Sequence, residues 1–397
     1  MMREEEMDSL SEKFKKRRRN HRVLNKGALK ETNIAEKTER GVFTPNLLND
    51  HGLLEETKAN TTEKIKENAY AINLFDDDDV LKKIKVVDQQ KDTKELQLCL
   101  RKMKSIGGDF LLVPQPQGYE EVLNGLLNKY PHFNNVIEFL RQRIRLNGLR
   151  EYPALDFGGA ILLDGPAGCG KTSFLTELSQ SFNTEFASIS CATATNNFDI
   201  SGLSGGWSNG RAGQIHDLLI NSGCPNPIFL LDEIDKTNDE GKNNFVGSLY
   251  GLLEKNNAKM FQDEYVGVKM DASRINWFAT SNDVSVLNAP LRDRFEVISV
   301  EAPDENHISQ IIPQIYKETV IEMGVQNSFS TVLKKDVLNK LLSFNGISIR
   351  RIQSVLKTGL ANATVRVKKG GAKVFLKVSD IPNQQSSKPK QRIGFIH

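Results

Sequence analysis

From residue 113 onward the hydrophobic positions fall into two alternating patterns. PQPQG marks a turn, and YEEVLNGLLNKYPHFNNVIEFLRQRIRLNGL (residues 119–149) then repeats apolar residues at spacings of three and four, which predicts two helices. Four short runs follow: GAILLDG (159–165), EFASIS (185–190), NPIFLLDE (226–233) and RINWFATS (274–281). Each is rich in β-branched or aromatic residues, and helix-length segments separate them. Strands alternating with helices predict a parallel sheet covered on both faces, an α/β fold. Beyond residue 302 only helical spacing remains, in APDENHISQIIPQIYKETVIEMG and DVLNKLLSFNGISIRRIQSVLKTGLANATVRV, so a smaller helical domain follows. The expected organisation is an arm over 1–112, an α/β domain over 113–301, a helical domain over 302–370 and a tail over 371–397.

The arm is defined by weak apolar periodicity. It carries a basic cluster, KFKKRRRNHR (13–22), and four consecutive acids from Asp76 to Asp79, and reads as a flexible or helical polar segment. The basic cluster is either a solvated face or a contact for nucleic acid. The acid run lacks the spacing and glycine of a calcium loop and fits a solvated turn or helix start.

Composition narrows the class rather than the function. With 53 Lys+Arg against 50 Asp+Glu among 397 residues, the net charge of +3 is too even to imply nucleic acid by itself. Four scattered cysteines without a C-x-x-C pair fit neither a disulfide framework nor a zinc site, which suggests a reducing compartment. There is no apolar run of membrane length and no signal-peptide pattern at MMREEEMDSL, so a cytoplasmic protein without a membrane partner is expected.

The chemistry lies at the ends of the predicted strands. GPAGCGKT follows the strand AILLD and precedes SFLTELSQSF, giving G-x-x-x-x-G-K-[ST] in a strand–loop–helix setting. Gly165, Pro166, Ala167, Gly168, Cys169 and Gly170 turn successive backbone N–H groups into one concavity, and the helix that opens at Lys171, Thr172 and Ser173 adds its positive end. ATP phosphates are the expected ligand, with Lys171 neutralising the β and γ groups and Thr172 ligating Mg²⁺. IFLLDEID then ends a buried strand in two acids: Asp232 to bind Mg²⁺ through water, and Glu233 to polarise the attacking water. Cys169 is either an oxidation point or a small buried filler.

GPAGCGKT with IFLLDEIDK resembles the AAA+ ATPase superfamily, and within it the ATPase module of Lon proteases. The likeness runs from about His132 to Val367 and includes LLEKNNAKMFQDEYVGVKMDASRINWFATSN and APLRDRFEVI. It implies a phosphate-loop AAA+ sheet sandwiched by helices, followed by a helical lid. It also implies roles for single residues: Asn282 as the first sensor, Arg294 as an arginine finger acting on the neighbouring subunit, and Arg350 as the lid arginine. Arg292 competes with Arg294, Arg351 stands beside Arg350, and His132 and Phe133 either flank the adenine or simply pack.

The resemblance further implies a homo-oligomer, a hexameric ring or open spiral. In GLSGGWSNGRAG (202–213) one of two tryptophans stands among five glycines, where no local core can cover it. The segment aligns with the first pore loop of Lon, which makes Trp207 a candidate grip on an extended polypeptide, or else a packing residue. Trp277, in INWFAT, is expected in the core. After Arg351 the chain leaves no room for a peptidase domain, so a self-contained protease is not expected. A motor acting on protein, alone or with a separate peptidase, stands beside an ATPase acting on nucleic acid and a nucleotide-dependent scaffold.

Overall fold

The computed structural model describes residues 70–89, 93–194, 197–204, 210–237, 245–344, 348–368 and 370–383. The basic cluster at 13–22 and Trp207 lie outside the described residues. The described residues divide into two compact units: those within 70–124, 135–164 and 172–299 form one, and those within 125–134, 165–171 and 300–383 the other.

The first unit is built on a five-stranded sheet of β3 (Ala160–Asp164), β4 (Phe186–Ser190), β5 (Ile228–Asp232), β8 (Asn276–Ser281) and β9 (Phe295–Ser299), in the order β4-β5-β8-β3-β9 and parallel throughout. The two central strands explain the continuous apolar runs. Every residue of β8 is buried, as are the first four of β5, because side chains leaving either face meet other elements. Trp277 is buried at 4% exposure against the ring of Phe229 at 5.0 Å, as its place in an apolar strand predicts. The register aligns the sheet's carboxyl edge: Asp164 lies opposite Ser281 across β3 and β8, with β5 on the other side of β8.

Four expected strands are present, and a fifth, β9, completes the edge. Only Phe295 and Ile298 are buried, Glu296 and Val297 between them are exposed, and the charged Glu296 interrupts the apolar run.

Residues 70–112 correct the reading of the first 112 residues as a coreless arm. Helices α1 (Asp77–Val87) and α2 (Lys94–Ile106) pack with the short antiparallel pair β1 (Ala71–Asn73) and β2 (Asp109–Leu111), and Val80, Val87, Leu96, Leu100, Met103 and Phe110 enter the same core as the sheet. The reason is stripe width: each helix buries two or three residues and leaves its other faces charged, so the segment's mean polarity hides its anchors. The acid run serves α1 directly. Asp76 caps it by accepting the Asp78 N–H at 2.8 Å, and Asp77, Asp78 and Asp79 fill the first turn, where the helix dipole favours negative charge.

Along the chain come α3 (Tyr119–Lys129), α4 (Asn134–Asn147), α5 (Lys171–Ser181), α6 (Gln214–Ser222) and α7 (Phe245–Leu252), and the short antiparallel pair β6 (Phe261–Gln262) and β7 (Lys269–Met270) precedes β8. The second unit packs α8 (Glu305–Glu322), α9 (Lys335–Leu342) and α10 (Ile349–Ala363) around Ile312, Tyr316, Val337, Leu341 and Leu356. Leu376 and Ile381, after the last helix, complete this core. Among the described residues no helix is long and apolar enough to cross a membrane.

Candidate active site

In the second unit, the phosphate loop is held open by its glycines. Gly168 has φ +78° and Gly170 φ +99°, a region that residues with a Cβ rarely enter, so the chain turns there without steric cost. Lys171 is folded back over the loop: its ammonium donates to the carbonyls of Gly165 at 2.6 Å and Pro166 at 3.0 Å, and the residue is 8% exposed. A cation is thus stationed at the mouth of the concavity.

Two other segments of that unit border the loop. A Cβ added to Gly168 would lie 3.4 Å from the Ser348 side chain and 3.9 Å from that of Arg350, so the start of α10 runs beside the loop. Ser348 caps α10 by accepting the Arg351 N–H, and Arg350 and Arg351 are both exposed. On the other flank the buried His132 donates from Nε2 to the Cys169 carbonyl at 2.7 Å. Burial lowers its pKa, the Cys169 carbonyl opposes this and His307 adds to it, so the ring is neutral and Nδ1 carries a lone pair. That Nδ1 is buried and has no hydrogen-bond partner among the described residues. Phe133 is wholly buried and packs edge-on to Tyr130 at 5.7 Å. Cys169 is 3% exposed and burial pushes its thiol pKa up, opposed by Lys171, which favours the small buried filler over the oxidation point.

In the first unit, the acids of β5 are wired to β8. The Thr172 hydroxyl lies 3.1 Å and 3.3 Å from the two Asp232 oxygens. Both groups offer hard oxygens, the donor type Mg²⁺ takes when water and phosphate complete its shell. Asp232 Oδ1 also accepts the hydroxyl of Thr280 at 2.5 Å, and that same hydroxyl accepts the N–H of Glu233 at 2.9 Å. Glu233 itself has φ 56°, a left-handed backbone that costs a residue with a Cβ about 1 to 2 kcal/mol. The side chain at this turn is exposed.

Thr280 was not among the residues singled out from sequence, although it stands two before Asn282 in ATSN. The same holds for Asp164 and Ser281. Asp164 Oδ1 accepts the Ser281 hydroxyl at 2.5 Å and the Val284 N–H at 3.0 Å, which fixes the exit of β8. Asn282, half-buried, is the first residue past β8, between the ends of β5 and β3.

Arg294 is held within its own chain. It donates to the Pro290 carbonyl at 2.6 Å and to Glu254 at 2.5 Å, and its guanidinium stacks on Tyr250 at 4.6 Å. Arg292 is exposed.

Trp207 lies outside the described residues, but the base of its segment is defined. Leu203 and Arg211 exchange two backbone hydrogen bonds, at 2.8 Å and 3.1 Å, closing a hairpin neck. The wholly buried Asp263 accepts the Gly213 N–H at 2.7 Å together with those of Tyr265 and Val266, and so clamps the far side of that neck.

Residues 161–301 match the model of the ATPase family associated with various cellular activities (AAA). The chain is similar to the Lon protease of Fusobacterium nucleatum, 31% identical over 166 residues, which is 41% of this chain and 22% of that protein. Lon protease of Malacoplasma penetrans is 28% identical over 204 residues, 51% of this chain and 24% of the relative. Peroxisomal Lon protease homolog 2 of Eremothecium gossypii reaches 36% over 149 residues, covering 36% and 15% respectively. The chain thus carries a Lon-like AAA+ module, and it spans a quarter or less of the length of these relatives.

Proposed function

We propose that this chain is an ATP-hydrolysing AAA+ motor that assembles into a hexameric ring or spiral and moves polypeptide through a central pore. The observation that carries the ATPase reading is the run of contacts Thr172–Asp232–Thr280–Glu233, which joins the proposed metal ligands to the proposed base.

The phosphate loop and Lys171 bind the phosphate chain, and the lone acceptor Nδ1 of His132 is a partner for the adenine amino group. Thr172 and Asp232 would hold Mg²⁺, which when bound neutralises phosphate charge. Glu233 takes the proton of the attacking water, Asn282 orients that water, and Arg350 contacts the nucleotide from the lid. Arg294 leaves Glu254 to reach the γ-phosphate on a neighbouring subunit, where a planar guanidinium suits the developing charge. Trp207, in the segment whose base Leu203 and Arg211 close, grips the cargo in a reducing, cytoplasmic compartment.

Glu233→Gln is expected to bind ATP and assemble while turnover falls by roughly 10²- to 10⁴-fold, the usual contribution of a positioned base. Wild-type turnover in that variant refutes the assignment. Cargo is tested by adding casein or single-stranded DNA: casein raises turnover in the wild type and not in Trp207→Ala. Stimulation by DNA alone, unchanged in Trp207→Ala, favours the nucleic-acid ATPase instead.

A further inference from the structure

Away from the ATPase residues, α2 and α6 bring a thiol, an imidazole and a carboxylate into line. Cys99 Sγ lies 3.4 Å from His216 Nε2, and His216 Nδ1 lies 3.3 Å from Asp217 Oδ1. This is the order of nucleophile, base and orienting acid found where a thiol is activated. The three members differ in access in the way such a device needs. His216 is 1% exposed and fixed in place, whereas Cys99 is partly exposed and Asp217 is open to solvent. The other three cysteines, Cys169, Cys191 and Cys224, are all buried.

The charges around the sulfur point the same way. Burial alone would lower the pKa of His216, but hydrogen bonds to Asp217 and Cys99 and the charge of Asp263 raise it to about 10. Near neutral pH the ring therefore holds its proton, and its Nε2–H faces Sγ as the partner a thiolate needs. Lys102, one turn along α2, is electrostatically coupled to both Cys99 and Asp217, while burial pulls its own pKa down. Burial raises the pKa of Tyr265 on this side, and the charges of Glu95 and Cys99 add to the rise.

We propose that Cys99 is a nucleophilic thiol, activated by His216, and a site of covalent modification by small electrophiles and hydroperoxides. With a hydroperoxide, Cys99 and His216 react as a thiolate–imidazolium pair, and the sulfur electron pair attacks the distal peroxide oxygen. An S–O bond forms as the O–O bond breaks. Sulfur is oxidised to a sulfenic acid, the hydroperoxide is reduced to the alcohol, or to water from hydrogen peroxide, and the leaving oxygen takes the proton held by His216. Partial exposure of Cys99 admits small reagents of this class and screens it from bulky ones. The proposal does not rest on the motor function, because none of its residues belongs to the ATPase machinery.

The test uses the full chain. Iodoacetamide is applied near neutral pH and each cysteine is followed by mass spectrometry. Cys99 is expected to label first, and at least about tenfold faster than in His216→Gln. Equal rates in the two proteins overturn the proposal. Asp217→Asn, at an exposed position, provides a second variant should His216→Gln fail to fold: slower labelling of Cys99 supports the triad, and an unchanged rate overturns it. Hydrogen peroxide followed by dimedone should leave an adduct on Cys99 that is lost in Cys99→Ser. A protein without that adduct, or with one that persists in Cys99→Ser, overturns the assignment of the reactive sulfur.

Discussion

Thr280 shows how one hydroxyl can set two neighbouring acids. It donates to Asp232 and accepts from the Glu233 N–H, so the side chain of one acid and the backbone of the other are referred to the same atom. Thr280→Val keeps the shape and removes both bonds. Stability is expected to fall by about 1 to 2 kcal/mol, since the Glu233 N–H loses its partner. ATP turnover is expected to fall by about tenfold or more with little change in KM, the pattern of a residue that positions the chemistry without binding substrate. Steady-state kinetics alongside a denaturant melt check both. The phosphate loop and the acids were legible because their chemistry is written in consecutive residues. Thr280 was not, because its role depends on β5 and β8 lying side by side.

At the scale of elements, the second unit closes its core with an ion pair after α10. Arg366 makes two bonds to Asp380, at 2.5 Å and 2.6 Å, and the carboxylate, 4% exposed, also accepts the Lys377 N–H at 2.7 Å. The hydrogen bonds from Arg366 hold the Asp380 pKa below its usual range, against the opposing effect of burial. The unfolded chain therefore binds this proton more readily than the folded one. The stabilisation is present above the unfolded carboxylate pKa of about 3.9 and is lost as pH falls through the folded value. Asp380→Asn is expected to cost about 2 kcal/mol near neutral pH and to flatten the acid limb of stability. Melts of both proteins between about pH 7 and about pH 2.5 measure it; parallel acid limbs would contradict the linkage. Helical spacing predicted the helices of this unit, but nothing in KVFLKVSDIP announces that Leu376 and Ile381 cap their core.

At the scale of the whole molecule, the proposed ring requires each active centre to borrow Arg294 from a neighbour. Arg294→Ala and Glu233→Gln are each expected to be inactive alone. Mixed in equal amounts they should recover turnover, because about a quarter of random interfaces pair an intact base with an intact finger. No recovery in co-assembled mixtures would mean that Arg294 acts within its own chain, where Glu254 and Tyr250 already hold it.

The sequence by itself determined the α/β alternation, the phosphate loop, the acid pair at the end of β5 and the buried Trp277, because each is carried by neighbouring residues with a local physical cause. It did not separate residues 70–112 from a polar arm or mark β9, since narrow amphipathic stripes and half-exposed edge strands look polar until a partner covers one side. Only the tertiary structure put Thr280 between two acids and Cys99 beside His216, 117 residues apart. Such pairings are set by which elements pack together, and no local pattern in the chain records them.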